Sequence, residues 1–247
     1  MSDDATHRAP PARRWPIVVA VLLAAPSSVC LLACLGSLAA GAFPEAACRA
    51  FSSGHCVRIA DSVAATNVPR AAVLYQIACD RGDAIACTTL GVRLSVGRGL
   101  PRERDRGLVL LERGCRARAW GACTQLGAAW WSGDGRPHDP ARAVLLFRGA
   151  CETGDLLACA WAGLATRSGV GTARDVAAGD RALMRVCDAG DDIACADAGR
   201  RLLDGDFGGI TRDATFGEAL LRRGCARGLH RTCAVLRRSR GARGAQP

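Results

Sequence analysis

The stretch Ala78-Cys79-Asp80-Arg81-Gly82-Asp83-Ala84-Ile85-Ala86-Cys87-Thr88-Thr89-Leu90-Gly91 decides how the rest of the chain reads. Two cysteines stand eight positions apart around a Gly-Asp pair. A glycine of this kind ends one helix in the left-handed region, and the aspartate opens the next by accepting from its first free amides. One cysteine therefore falls at the end of a helix and the other early in its successor. The arrangement returns as Cys151-Glu152-Thr153-Gly154-Asp155-Leu156-Leu157-Ala158-Cys159-Ala160-Trp161-Ala162-Gly163.

Working outward, the same eight-residue spacing joins Cys48 to Cys56, Cys79 to Cys87, Cys115 to Cys123, Cys151 to Cys159, Cys187 to Cys195 and Cys225 to Cys233. Successive pairs begin 31, 36, 36, 36 and 38 residues apart, a period that marks a solenoid of helix pairs. Other positions recur in phase. The turn glycine is Gly82, Gly154, Gly190 or Gly228, with Arg118 in its place once. Four residues past each second cysteine stands Gly91, Gly127, Gly163 or Gly199, and eight before the next pair stands Ala71, Gly107, Ala143, Gly179 or Gly217. Small residues at both registers let two helices approach closely. Gly97, Gly133, Gly169 and Gly205 stop the first helix of a unit, and Asn67, Glu103, Asp139, Asp175 and Asp213 stand where N-caps of the second belong. Each unit is thus helix A, a Gly-rich turn and helix B. Between Ala143 and Ala150, Val144, Leu145 and Phe147 are expected to point inward.

Helix B and the next helix A run antiparallel across a short turn, so the sulfurs of each pair come within disulfide reach. Closing a loop of nine residues stabilises by about 2.5 kcal/mol on a chain-entropy account. Zinc is the competing use of so many thiols, but the spacing is not that of a ligand pair two to four residues apart. His7, His55, His138 and His230 follow no ligand pattern either. Local disulfides are expected at all six pairs, and neither a metal nor a cofactor.

The first residues read as an address. Residues 1–15 are polar and carry Arg8, Arg13 and Arg14, while 16–43 hold no charged residue. The apolar run is about long enough to cross a bilayer, and the preceding arginines hold the N-terminus in the cytoplasm. Three fates are open to it: a retained transmembrane anchor, cleavage after Ala40-Gly41-Ala42, or lipidation of Cys34 within Leu31-Leu32-Ala33-Cys34. All three deliver the chain from Phe43 onward to an oxidising space, the periplasmic side of a cell envelope, where disulfides persist. The remainder divides into a degenerate N-terminal capping unit (44–78), four repeats (79–114, 115–150, 151–186 and 187–224), a C-terminal capping helix (225–238) and a disordered basic tail (239–247).

Of the 247 residues, 33 are basic and every one is arginine; the formal net charge is +10. Lacking lysine, the chain has no Schiff-base amine, no phosphate-loop Gly-Lys and no Ser-x-x-Lys acylase. From Leu221 onward there is no acid, only Arg222, Arg223, Arg227, Arg231, Arg237, Arg238, Arg240 and Arg243. Such a run either touches an anionic surface or solvates the last repeat, and the second reading is favoured. No aromatics interleave these arginines, so a nucleic-acid partner is not expected.

The spacing, the Gly-Asp turn and the period together resemble the Sel1-like repeat family, in particular its cysteine-rich, disulfide-linked (Hcp-type) branch. The resemblance covers roughly 47–238. It implies an all-α, right-handed α/α solenoid related to tetratricopeptide arrays, and an adaptor that holds a peptide or protein segment in a groove. Penicillin binding and weak β-lactamase activity, assigned to some members of that branch, are the alternative the resemblance brings. No catalytic residue carries over, and no zinc-hydrolase cluster is present. Asp191-Asp192 is the adjacent acidic pair of the repeats, with Asp191 in a capping position.

For binding, Trp130 shares a register with Leu94 and Leu202 and is expected in the core. Trp161 shares its register with Thr89, Gln125 and Asp197, which predicts an exposed helix A face. Trp120 and Trp131 also have polar or mixed equivalents. Trp120, Gln125, Trp131, Trp161 and Asp197 are therefore the candidate partner-binding residues; for Trp120 and Trp131, covering a neighbouring repeat is an equal alternative. The expectation is a non-catalytic, monomeric envelope scaffold with a protein or peptide partner, touching the membrane through its N-terminal segment.

Overall fold

The computed structural model describes Glu45, Cys48, residues 52–205 and residues 207–244. Eleven helices follow one another: α1 (Ser53–Ala64), α2 (Val68–Asp80), α3 (Ala84–Val96), α4 (Arg104–Arg116), α5 (Trp120–Ser132), α6 (Pro140–Glu152), α7 (Leu156–Ser168), α8 (Val176–Asp188), α9 (Asp192–Asp204), α10 (Ala214–Ala226) and α11 (His230–Gly244). There is no strand among the described residues. Odd-numbered helices are the A members of each pair and even-numbered ones the B members. Each helix packs on its sequence neighbours, and α7 on α9, α8 on α10 and α9 on α11 add contacts between like helices of adjacent units. The array is an α/α solenoid, an architecture in which contacts between neighbouring units predominate. The apolar segment 16–43, with Cys34, lies outside the described residues. Among those described, no helix is long and apolar enough to cross a membrane.

The helix ends follow their capping chemistry. Asp83, Asp155 and Asp191 accept from the amides of Ala86, Ala158 and Ala194 at 2.8–3.0 Å and open α3, α7 and α9. Asn67, Asp139, Asp175 and Asp213 do the same for α2, α6, α8 and α10. Glu103 is the exception. Its longer side chain makes no cap bond and pairs with Arg106 instead. Gly97, Gly133 and Gly169 end α3, α5 and α7 in the left-handed region.

All six cysteine pairs are bonded as the spacing requires. At the five joints from Cys79–Cys87 onward the Cα atoms are 4.6–4.9 Å apart. The first unit, Cys48–Cys56 with α1 and α2, is tied further by the buried Tyr75, whose hydroxyl donates to Asp61.

Within a unit the helices cross at small residues. A Cβ on Gly91 would lie 2.9 Å from the carbonyl oxygen of Gly107, and one on Gly217 would lie 3.0 Å from that of Gly199. Backbone meets backbone at these crossings, so even a methyl group has no room. The core runs along the array in two clusters that divide at α4, where Leu110 packs toward α3 and Leu111 toward α5.

Two expectations are corrected. In α6, Ala143, Val144, Phe147 and Ala150 are buried, but Leu145 is 70% exposed. The buried stripe follows i, i+1, i+4 and i+7, and Leu145 stands on the opposite face. At the other end, α11 continues through Gly244, past the boundary at 238. Residues 239–244, expected as disordered tail, continue the helix, with no proline among them to break it.

Arg118, which replaces the turn glycine, has φ +62°, while Gly82, Gly154, Gly190 and Gly228 have φ between +82° and +97°. The turn demands a left-handed residue whatever its identity, and a side chain there costs about 1–2 kcal/mol. Arg118→Gly is expected to stabilise by about 1 kcal/mol, raising Tm by about 2–4 °C. Calorimetry of the purified variant reads this directly; a lowered Tm would show that the Arg118 side chain outweighs its backbone strain.

Candidate functional site

The middle of the array is filled by aromatic rings from both A and B helices. Trp131 of α5, Phe147 of α6 and Trp161 of α7 pack with centroids 5.3–6.3 Å apart, and the Trp161 and Phe147 rings are stacked. Trp131 is fully buried and Trp161 is 5% exposed. The exposed position expected for Trp161 is therefore wrong. Two neighbours cover it. Arg201 of α9 lays its guanidinium 3.9 Å from the Trp161 ring centre and 4.4 Å from that of Phe207. Phe207 itself belongs to the lengthened turn between α9 and α10, which folds back so that its carbonyl accepts from Trp131 Nε1 at 3.1 Å.

This return is possible because Gly208 has φ +65° and no side chain; a Cβ there would run into the Trp131 indole. The two extra residues around Phe207 thus form a strap from the fourth repeat over Trp161 of the third to Trp131 of the second. Arg201 is held by Asp197 at 2.7 Å. Burial pushes its pKa below the ordinary guanidinium value, and the Asp197 bond opposes the shift.

Trp130 lies in the core as its register indicates, with Arg142 over its ring at 4.5 Å. Trp120 is half-buried and packs against the core, and Gln125 is exposed on α5. Asp197 is part-exposed on α9, with α7 between it and Gln125. The structure therefore does not gather the five candidates into one patch. Two are core, Trp120 supports it, and Gln125 and Asp197 stand apart.

A cleft of about 370 Å³ opens between the A helices α9 and α11. Ile193, Ala196, Ala234 and Val235 form its apolar surface, and Arg200, Arg231, Arg238 and Asp197 its charged one. Asp197 accepts from Arg200 at 2.9 Å, and Arg200 also reaches Asp204. The guanidiniums of Arg231 and Arg238 make no ion pair among the described residues. Arginines of a terminal repeat read from sequence as mere solvation, so this cleft went unseen; the clue was that they fall at A-face registers.

The acidic pair has two structural tasks. Asp191 caps α9, and Asp192 caps α11 across the repeat, accepting from the amides of Arg231 and Thr232 and from the Thr232 hydroxyl at 2.7–2.8 Å. Burial alone would push the Asp192 carboxyl up. The bonds from Arg231 and Thr232 and the charge of Arg231 outweigh it, holding the carboxyl below its ordinary range. A second clasp is Arg167, 6% exposed, which bonds Asp180 and Asp213 at 2.6 and 2.5 Å and so ties α7 to α8 and α10. Both carboxylate sets are committed to joints. Among the described residues no group of three or more His, Cys, Asp or Glu is placed to hold a metal.

A model of the Sel1 repeat matches residues 62–83, 84–118, 120–155 and 192–229, together more than half of the chain. The chain belongs to the Sel1 repeat family. Three of the matched segments open at the first residues of α3, α5 and α9, so the family's unit is helix A followed by helix B. The unmatched interval, 156–191, holds α7 and α8 with Trp161 and Arg167.

Among solved structures, a Sel1 repeat protein from Klebsiella pneumoniae superposes with a TM-score of 0.59 at 20% identity, covering 81% of this chain and 98% of that one. A Sel1 repeat protein from Oxalobacter formigenes gives 0.58 at 21% identity, over 72% and 74%. A protective antigen of uropathogenic Escherichia coli strains with an SLR fold gives 0.57 at 19% identity, over 71% of this chain and 38% of the antigen. At these identities the likeness is one of fold. No curated protein matches the chain.

Asp192→Ala removes the shared cap. A carboxyl whose folded pKa lies below its unfolded value contributes stability that is complete above the unfolded pKa and is lost as pH falls through the folded one. The variant is expected to lose about 1 kcal/mol at neutral pH, allowing for the group's partial exposure. It should also lose less than the parent on acidification through the carboxylate range. Urea unfolding at pH 7 and pH 3 checks both; equal losses on acidification would remove Asp192 from the joint.

Proposed function

We propose that the protein is a non-catalytic scaffold of the cell envelope that holds a peptide or protein partner on the face built by its A helices. The observation that carries this reading is the cleft between α9 and α11, where apolar surface stands open beside the side chains of Arg231 and Arg238. Rigid disulfide-tied joints suit such a role, because a partner then meets a preformed surface and little ordering entropy is lost on binding. The envelope location rests on the uncharged run 16–43 behind Arg13 and Arg14 and on the six cysteine pairs, which need an oxidising compartment. The scaffold acts as a monomer, tethered or exported through its N-terminal segment.

The complete absence of lysine allows a direct test, since one introduced lysine becomes the only side-chain amine. Gln125→Lys places it on the A-helix face and Leu145→Lys on the exposed side of a B helix. Cells with a permeabilised outer membrane are treated with an amine-reactive cross-linker that does not pass the inner membrane. A discrete partner adduct is expected from Gln125→Lys and none from Leu145→Lys. Equal adducts from both would defeat the face assignment, and labelling of neither without lysis would defeat the compartment.

A further inference from the structure

The joint between α9 and α11 differs from its predecessors in charge at fixed registers. The cleft is lined by Ile193, Ala196, Asp197 and Arg200 of α9 and by Arg231, Ala234, Val235 and Arg238 of α11. Each set follows i, i+3, i+4 and i+7, one face of a helix, and the two sets occupy equivalent repeat positions. Five residues past the second cysteine, earlier units have Val92, Ala128 and Leu164, where these two have Arg200 and Arg238. Two residues before that cysteine, earlier units have Ile85, Gly121, Leu157 and Ile193, where the last has Arg231. Arginine has thus entered positions that are apolar or small in the regular units before them (the degenerate first unit has Asp61 and Gly54), and only at the last joint.

Solvating a terminal repeat calls for charge but not for charge of one sign, since like charges repel. Arg200 is neutralised by Asp197 and Asp204. Among the described residues Arg231 and Arg238 make no such ion pair, although the charge of Arg231 is felt by Asp192, and the sequence has no acid after Glu218. They stand seven residues apart, about 10 Å along the helix, with Ala234 and Val235 between them and the 54%-exposed Ile193 opposite. Cations at both ends of an apolar strip complement a chain with carboxylates about 10 Å apart and an apolar side chain between. A peptide in the extended polyproline II conformation advances about 3.1 Å per residue with three residues per turn, so carboxylates three residues apart share one face at about this spacing.

We propose that this cleft binds an acidic peptide segment, carboxylates on Arg231 and Arg238 and an apolar side chain against Ile193 and Val235. The inference rests on the scaffold reading above and names the chemistry of its partner. The apolar strip favours a peptide over an acidic glycan, which has no side chain to place there, and the cleft's concavity over a flat lipid surface.

The probe is the peptide (Glu-Leu-Ser)4 carrying an uncharged dye, titrated with the purified full-length protein by fluorescence anisotropy. Its controls are (Gln-Leu-Ser)4 and (Glu-Ser-Ser)4. Binding of the first peptide, weakened in both controls, is expected. Arg238→Gln should weaken it about tenfold. Arg237→Gln, which removes the same charge from the adjacent exposed position outside the cleft, should change it less than about twofold. Circular dichroism and intact disulfides in both variants establish that the fold is kept.

Equal losses in the two variants, or equal affinity for (Glu-Ser-Ser)4, would overturn the proposal in favour of a diffuse basic surface. So would Arg238-dependent binding of heparin oligosaccharides or of phosphatidylglycerol vesicles without peptide binding. Absence of peptide binding overturns this inference alone, because the scaffold reading stands or falls by the Gln125→Lys cross-link.

Discussion

At five joints along the chain the last turn of a B helix is bonded through sulfur to the first turn of the next A helix, with Cα atoms 4.6–4.9 Å apart. Everything else in the array depends on that short link. A core rich in alanine and glycine buries little apolar area per residue, and apart from the Phe207 strap the helices of a unit pack on those of its neighbours, so the stability gained locally must be held locally. A nine-residue disulfide loop adds about 2.5 kcal/mol at each joint on the chain-entropy account. It acts on the unfolded chain, so it does not require the large side chains that the close helix crossings exclude.

Those crossings explain why the chain uses its acids and arginines as it does. When Gly91 meets Gly107 and Gly199 meets Gly217 backbone to backbone, little side-chain surface remains to hold the pairs in register. Capping carboxylates and ionic clasps take that part. Asp192 reaches from α9 to cap α11, and Arg167 spans from α7 to Asp180 and Asp213. The adjacent acids Asp191 and Asp192, which in a flat list of residues resemble an acid–base pair, are two N-caps for two different helices. These carboxylates thereby serve the joints, whereas the open cleft between α9 and α11 presents charged and apolar side chains to solvent.

The fold was readable in the sequence wherever the backbone itself imposes a residue type. Turn glycines, capping aspartates and paired cysteines mark local geometry, and even the irregular Arg118 occupies the left-handed position its register required. What the sequence concealed depends on contacts between distant units. Trp161 looked exposed because its equivalents are polar; it is buried because a strap carrying Phe207, from a turn lengthened in the following unit, returns onto it and Arg201 packs against both rings. Register comparison assumes that each unit has the same neighbours, and an inserted pair of residues breaks that assumption. Leu145 misled for a simpler reason: three apolar residues within four positions cannot all face inward on a helix. The cleft escaped notice because its arginines come from two units and form one surface only when α9 and α11 lie side by side.

The central claim is that the molecule is a nearest-neighbour array whose joints are individually stapled. Amide hydrogen exchange of the parent and of the Cys151→Ser, Cys159→Ser double variant tests it most directly. The account predicts that protection falls in Pro140–Glu152 and Leu156–Ser168, spreads weakly to the helices touching them, and is unchanged in Ala84–Val96. A uniform loss of protection from α1 to α10 would mean that the chain unfolds as one cooperative globule, and the disulfide joints could not then be its units of stability.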